Sequence, residues 1–466
     1  MRVLGFCSFA FYCILAGLFW NNFTSTATRA DDIAVFVGGA ALVIAYFYGL
    51  RFAKNVKTTL IVAFAIGFAI VGFFMVPFDS TDVFFYIATG WEQSHYAHNP
   101  YSRSLREVTD IVDDPLVQNE WMARNRNPWL DLPVPYGFLF ALISRGIAWA
   151  GHGSFWATLA LFTLLNLMTH AGTAWLLWKA AKLIPGANPN TVLYLYSWNP
   201  FIVLQYLGNV HNDIIVAFLV VLAAYLLLSG RLLWTIPVLA ASVLIKYVTI
   251  VLIPFAFLFL VRNRGWSFAI RSTVLAFGVA LLSALPYLPE IAAFKYELII
   301  AQVSESTGSL HAFMLYVYRV LTLIWPALLG MMPHFRAATK VGLWVIFIGF
   351  VIHEMHATWT ERSIDSVRMI ERWTAVLFAL LFVASSQFFA WYLGMLFPIA
   401  ILTDRKSILA DTVVLLSGAH MLSFTFVRRK AIGYFLLATL LPVLFAILPR
   451  LPRLKREVDL PDLIPS

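Results

Sequence analysis

Charge is scarce in this chain. Only 12% of its 466 residues are Asp, Glu, Lys or Arg, against roughly 25% in a soluble domain. Cysteine is scarcer still. Cys7 and Cys13 both fall in the first apolar run, which leaves no basis for a disulfide framework or a thiolate metal site. There is no Gly-rich phosphate loop and no GxSxG, so nucleotide hydrolysis and serine-hydrolase chemistry have no foothold. His95 with His98, and His353 with His356, have i, i+3 spacing, but no neighbouring carboxylate or cysteine pattern completes a zinc motif. What fills the sequence instead is apolar: 61% of residues are hydrophobic and mean hydropathy is +0.80.

Apolar runs of about 15 to 24 residues recur between basic or Pro/Gly-containing connectors, near the roughly 20 residues a helix needs to cross a bilayer. Backbone amides in lipid must be satisfied internally, so the expectation is an all-α, polytopic integral membrane protein. The net charge of +9 sits in short connectors, where it reads as a topology signal and not as a nucleic-acid surface. The first run, 3–20, ends in Trp20, Asn21 and Asn22. These do not resemble a small-residue cleavage site, so the run is read as a membrane helix rather than a signal peptide.

The positive-inside rule threads the chain. Arg51, Lys54 and Lys57 put the connector between runs 33–50 and 58–77 in the cytoplasm, which leaves 78–135 as a long extracytoplasmic loop bearing short interfacial helices. The stretch 136–151 is short, carries Arg145, and is read as a helix lying on the membrane surface. Spans follow at 155–178, 190–207, 213–229, 232–246 and 248–261, then a helix outward from Arg271 and a second extracytoplasmic loop at 289–309. The region 310–357 holds two apolar runs, of which parity allows one crossing. Four last runs, near 373–387, 389–402, 408–427 and 431–448, return Arg450, Arg453, Lys455 and Arg456 to the cytoplasm. Arg428, Arg429 and Lys430 fall outside, against the rule. The total is about fourteen spans in one domain, 1–466.

Four polar islands interrupt this pattern. Asp79 and Asp82 open the external loop; three apart, they would share one face of a helical turn at the lipid–water boundary, where a partly desolvated carboxylate can act as a base. The alternative is that both aspartates cap the helix that follows. Trp198, Asn199 and Pro200, then Gly208, Asn209, Val210, His211, Asn212 and Asp213, form a second island, either facing a site or making a solvated turn. Lys246 with Tyr247 stands in an apolar stretch, placed either to hold a phosphate or to snorkel to headgroups. Ser386, Gln387, Trp391 and Tyr392 stand at a helix end, where interfacial aromatics are also expected.

In order, these islands resemble the GT-C superfamily of membrane glycosyltransferases. The phrase Asp82-Val-Phe-Phe-Tyr86 with Asn99-Pro-Tyr101 is similar to the first external loop of bacterial polyprenyl-phosphate-mannose-dependent mannosyltransferases. So are Asn199-Pro200 with Gly208-Asn209 and His211-Asn212-Asp213, then Lys246-Tyr247, then Trp391-Tyr392 with Pro398. The series covers about 70 to 400. It departs from the family in having two helices ahead of the span that leads into the loop, and in offering two aspartates there.

The resemblance implies transfer of a sugar, mannose by this likeness, from a polyprenyl-phosphate donor to a glycan or glycolipid acceptor outside the cytoplasm, with inversion. Asp82 would be the general base, with Asp79 tuning it or holding a divalent cation such as Mg or Mn; no other cofactor is implied. Lys246 and Tyr247 would hold the donor phosphate. Tyr86, Asn99, Tyr101, Asn209, His211, Asn212, Asp213, Gln387, Trp391 and Tyr392 would line the substrates. A transporter or flippase of lipid-linked saccharide is the rival from another class, since charges within spans often line a pathway; no inverted repeat supports it. A non-catalytic assembly subunit is a third reading.

Overall fold

A computed structural model describes residues 1–24, 29–118, 128–295, 306–403, 407–426 and 440–447. Parts of the expectations therefore lie outside the described residues: 119–127 of the first loop, 296–305 of the second, Arg428, Arg429 and Lys430, most of the last run, and the C-terminal basic residues. Among the described residues there is no strand, only isolated bridges from Thr307 and Gly308 to Gln387. Among these residues six helices are long and apolar enough to cross a membrane unaided, and seven more apolar helices run for 10–17 residues. The chain is an all-α membrane protein.

Three helices, α1 (Arg2–Thr24), α2 (Arg29–Ala53) and α3 (Thr58–Phe73), lead to α4 (Asp82–His95). The segment expected to form the long loop is not polar throughout. Val83 to Ala88 of α4 are all buried at 3% exposure or less, so the helix belongs to the core. It lies against α5 (Phe138–Ala150). At 13 residues, α5 is about 20 Å long, short of the roughly 30 Å hydrocarbon core. Gly90 makes this packing close, since a Cβ there would stand 2.4 Å from the Ser144 carbonyl oxygen.

After the 27-residue α6 (Phe155–Ala181), the expected continuous span 190–207 is broken. α7 (Pro189–Ser197) stops at Trp198, because Pro200 lacks an N–H and disfavours helical geometry in the residue before it. Asn199 caps the next short helix through Phe201 N (3.0 Å) and donates to Ser417 Oγ (2.9 Å). Trp198 Nε1 donates to Ile61 O. These two residues are therefore internal helix-packing groups, separated from the downstream Gly208–Asp213 island by a turn of π-helix at Leu204–Gly208.

The chain continues through α8 (Asp213–Leu228), α9 (Thr235–Val243), α10 (Leu252–Arg264) and α11 (Trp266–Ala284). The two runs of 310–357 become α12 (Leu310–Ile324) and the longer α13 (Met332–Thr360); by length, α13 is the one able to cross alone. Then come α14 (Ser366–Ala379), α15 (Leu393–Ala400), α16 (Ile408–Phe426) and α17 (Leu441–Ile447). An extended piece at Ser385–Phe389 separates the expected spans near 373–387 and 389–402 and trims the facing end of each.

Because α4 and α5 meet backbone to backbone, Gly90→Ala is expected to lower stability by about 1–3 kcal/mol through overpacking. A fall in the melting temperature of the detergent-solubilised protein checks this; an unchanged transition would show that the two helices separate freely.

Candidate active site

Each polar island meets the others where a helix stops. Asp82 is the first residue of α4, while Asp79 precedes it outside any helix. The two aspartates do not share a helical face. Nor does Thr81, the N-cap residue, make a side-chain capping bond. The approach to α4 is held by Asn209, whose Oδ1 accepts from the backbone N–H groups of Phe78 (2.9 Å) and Asp79 (3.0 Å) while its Nδ2 donates to Gln205 (3.1 Å). Asn209 is thus engaged as a clamp on the loop rather than offered to a ligand.

Asp82 Oδ2 lies 3.3 Å from His211 Nδ1, with the imidazole fully buried and the carboxylate 14% exposed. The buried ring nitrogen and the carboxylate oxygen are in direct contact, which favours the ionised carboxylate. Burial works to raise the Asp82 carboxyl; His211, joined by the Lys246 charge and by Ser80, outweighs it and holds the group below the usual carboxylate range.

Two residues on, Asp213 begins α8 and accepts a 2.8 Å bond from Lys246 Nζ. Lys246 stands in an extended elbow between α9 and the turn that starts at Tyr247. Gly137 permits the elbow: its N–H donates to Ile245 O, and a Cβ would meet Leu244 O at 2.3 Å. The ammonium rests 4.3 Å from the centroid of the Tyr392 ring, an arrangement worth about 0.5–2 kcal/mol.

Trp391 completes the enclosure. Its indole stacks on the His211 imidazole (4.3 Å between centroids, 16° apart) and on Phe389 behind it (4.8 Å). Gln387 is tied by its backbone neighbours: Phe388 N donates to Thr307 O, and Ser309 Oγ to Ser386 O. That segment braces Trp391 from the end of the second loop.

Other expected site residues fall elsewhere. Asn99 turns its Oδ1 onto Tyr101 N (3.0 Å), closing a local turn. Tyr101 is buried among Phe138, Tyr287 and Phe294 and donates to Tyr136 O. Both build the scaffold. Tyr247 also donates to Tyr136 O, at 3.4 Å, and is 44% exposed. Tyr86 stands edge-on to Tyr136 (5.3 Å). Tyr136, which the sequence reading placed only at the head of the surface helix, lies near Asp82 and Asp213; burial and the Asp82 charge hold its phenol well above the usual value.

His211 Nε2, both side-chain polar atoms of Asn212 and Asp213 Oδ2 are buried with no hydrogen-bond partner among the described residues. Each such atom costs about 1–3 kcal/mol. A divalent cation finds little here: Asp82 faces an imidazole, Asp213 holds an ammonium, and no group of three His, Cys, Asp or Glu side chains suited to a metal occurs among the described residues.

Residues 14–262, more than half of the chain, match the family described as alpha-(1->6)-mannopyranosyltransferase, N-terminal domain. The chain belongs to that family. Alpha-(1->6)-mannopyranosyltransferase A of Corynebacterium glutamicum is 24% identical over 182 residues, 39% of this chain. The match spans only 35% of that relative's length. Within the family region lie Asp82, His211, Asp213 and Lys246; Trp391 and Tyr392 come from beyond it.

Removing Lys246 alone strands Asp213 as a buried carboxylate. Lys246→Met is expected to cost about 3–5 kcal/mol of stability, and Lys246→Met with Asp213→Asn considerably less. Unfolding in mixed micelles measures both; equal losses would mean that the pair is not coupled.

Proposed function

We propose that this protein is a membrane glycosyltransferase that moves mannose from a polyprenyl-phosphate donor to a hydroxyl of a glycan or glycolipid on the extracytoplasmic side, with Asp82 as general base. The observation that carries the reading is the meeting of two polar pairs, Asp82 with His211 and Lys246 with Asp213, under the Trp391 and Tyr392 rings. Family membership supports a glycosyl, and specifically a mannosyl, substrate. The relative's printed name adds an α-1,6 linkage to the proposal.

The chemistry follows from the groups present. An acceptor hydroxyl attacks the anomeric carbon as the bond from that carbon to the phosphate oxygen breaks. The electron pair leaves with the polyprenyl phosphate, so no strong general acid is needed. Asp82 takes the acceptor proton, and its lowered basicity keeps it ionised and ready at neutral pH. Lys246 has three N–H donors, of which Asp213 uses one, so the ammonium can also face the departing phosphate. A single displacement inverts the anomeric centre. The unpartnered atoms of Asn212, His211 and Asp213 are groups that sugar hydroxyls would satisfy. Trp391 offers an aromatic wall. A donor carried in the bilayer brings its phosphate to headgroup level, which suits a site built among membrane helices.

Purified protein supplied with radiolabelled polyprenyl-phosphate mannose and candidate acceptors should transfer the label. Asp82→Asn should lose roughly a hundredfold or more in kcat while folding normally. Retained activity in that variant would remove Asp82 from the chemistry.

The sign of the pH effect follows from the depressed Asp82 value. Activity governed by this carboxylate persists above its folded-state titration and falls as pH drops through it. His211→Ala leaves burial with less opposition, so the acid limb should move to higher pH; a pH–rate profile with no movement would dissociate the two residues.

Sidedness has its own test. With Cys7 and Cys13 replaced by serine, Asp110→Cys should react with a membrane-impermeant thiol reagent in intact cells. Labelling only after lysis would place the loop in the cytoplasm.

A further inference from the structure

α6 buries one amide side chain on a face it shares with Thr163, Thr169, His170 and Thr173. Asn166 sits near the middle of the helix and is 2% exposed. Its Nδ2 donates to two backbone carbonyls at once, Tyr206 O (2.8 Å) and His211 O (3.0 Å), which uses both N–H groups of the amide. Those carbonyls bracket the sharpest turn in the site. Within it, Val210 has φ +58, a left-handed conformation that a β-branched residue adopts only when its surroundings enforce it. From the other side Asn209 anchors the same turn to Phe78 and Asp79.

The residue bonded at one end of the bracket reaches the site again. Tyr206 Oη donates to Trp391 O at 2.6 Å, and Trp391 is the ring that stacks on His211. Gly394 makes room for this reach, since a Cβ there would fall on the Tyr206 hydroxyl. Both restraints on the imidazole, its own backbone and the indole beside it, therefore run through carbonyls or chains that Asn166 holds.

We infer that Asn166 is a positioning residue for the transfer reaction: its amide fixes the turn from Tyr206 to His211, and through it the placement of the His211 ring against Asp82. The inference rests on the proposed role of Asp82. Asn166 touches no reacting atom, so its loss should act through His211 and not through donor binding at Lys246.

A double-mutant cycle between Asn166 and His211 tests this, using polyprenyl-phosphate mannose as donor. Asn166→Asp keeps the shape and removes at least one donor; Asn166→Ser is a second, smaller variant in case the first fails to fold. Each is expected to lower kcat about tenfold or more with donor KM within about twofold, and to cost less than about twofold further in a His211→Ala background. Wild-type kcat in a folded variant would overturn the inference. So would a full, multiplicative loss on top of His211→Ala, or a kcat that falls only in proportion to folded protein. An active Asp82→Asn would sink the base assignment alone, while the coupling between Asn166 and His211 would still stand or fall by the cycle.

Discussion

Asp213 is 1% exposed as a side chain and meets a single cation, Lys246. Taking two charges out of water costs several kcal/mol for each ion unless they meet in good geometry, and the local structure is arranged to provide that geometry. The elbow at Lys246 exists because Gly137 lets the chain from Leu244 to Ile245 approach without a side chain between them. The Tyr392 ring covers another face of the ammonium. Asp213 in turn starts α8, where the positive end of the helix dipole favours a carboxylate.

Interrupted helices are expensive in lipid, because a freed N–H or C=O finds no water. Here the interruptions gather. The start of α4, the π turn before Gly208, the elbow at Lys246 and the extended piece before Trp391 all converge on one cluster, and side chains take up the freed groups: Asn209 receives two amides, Asn166 gives to two carbonyls, Tyr206 gives to a third. Breaks that would be liabilities against lipid become a lining when they face one another.

The helical class was legible from apolar run length, and most runs became helices near their expected limits. One was not continuous, for a local reason: Pro200 stops the run 190–207. The Lys246 elbow and the extended Ser385–Phe389 piece fall at junctions between expected spans and shorten the helices beside them. Polar islands marked where chemistry-bearing residues gather, since Asp82, His211, Asp213 and Lys246 are conspicuous in so apolar a chain. Spacing could not say which islanders face a ligand and which face the backbone. Asn209 and Asn99 look like sugar-binding amides in sequence and prove to be fastened to main-chain groups. Asn166 and Tyr206 were invisible for the opposite reason: a polar residue within a membrane-length run gives no local sign of a carbonyl it meets 40 residues away. Tyr136 was similarly hidden at the edge of a run read for its apolar character.

His211 and Asp213 lie two residues apart, and this spacing ties the two halves of the proposed reaction together. One faces the carboxylate assigned to take the acceptor proton; the other holds the ammonium assigned to the departing phosphate. A displacement requires the attacking oxygen and the leaving oxygen on opposite sides of one carbon, so the groups serving them must keep a fixed separation. Mounting both partners on a single turn, strained at Val210 and held by Asn166 of α6 on one side and by the Phe78 and Asp79 amides ahead of α4 on the other, makes that separation a property of the backbone. Asn212 then falls between them, buried and with its amide unspent. Under the proposed reaction it would be the group that meets the sugar ring between the two reacting oxygens.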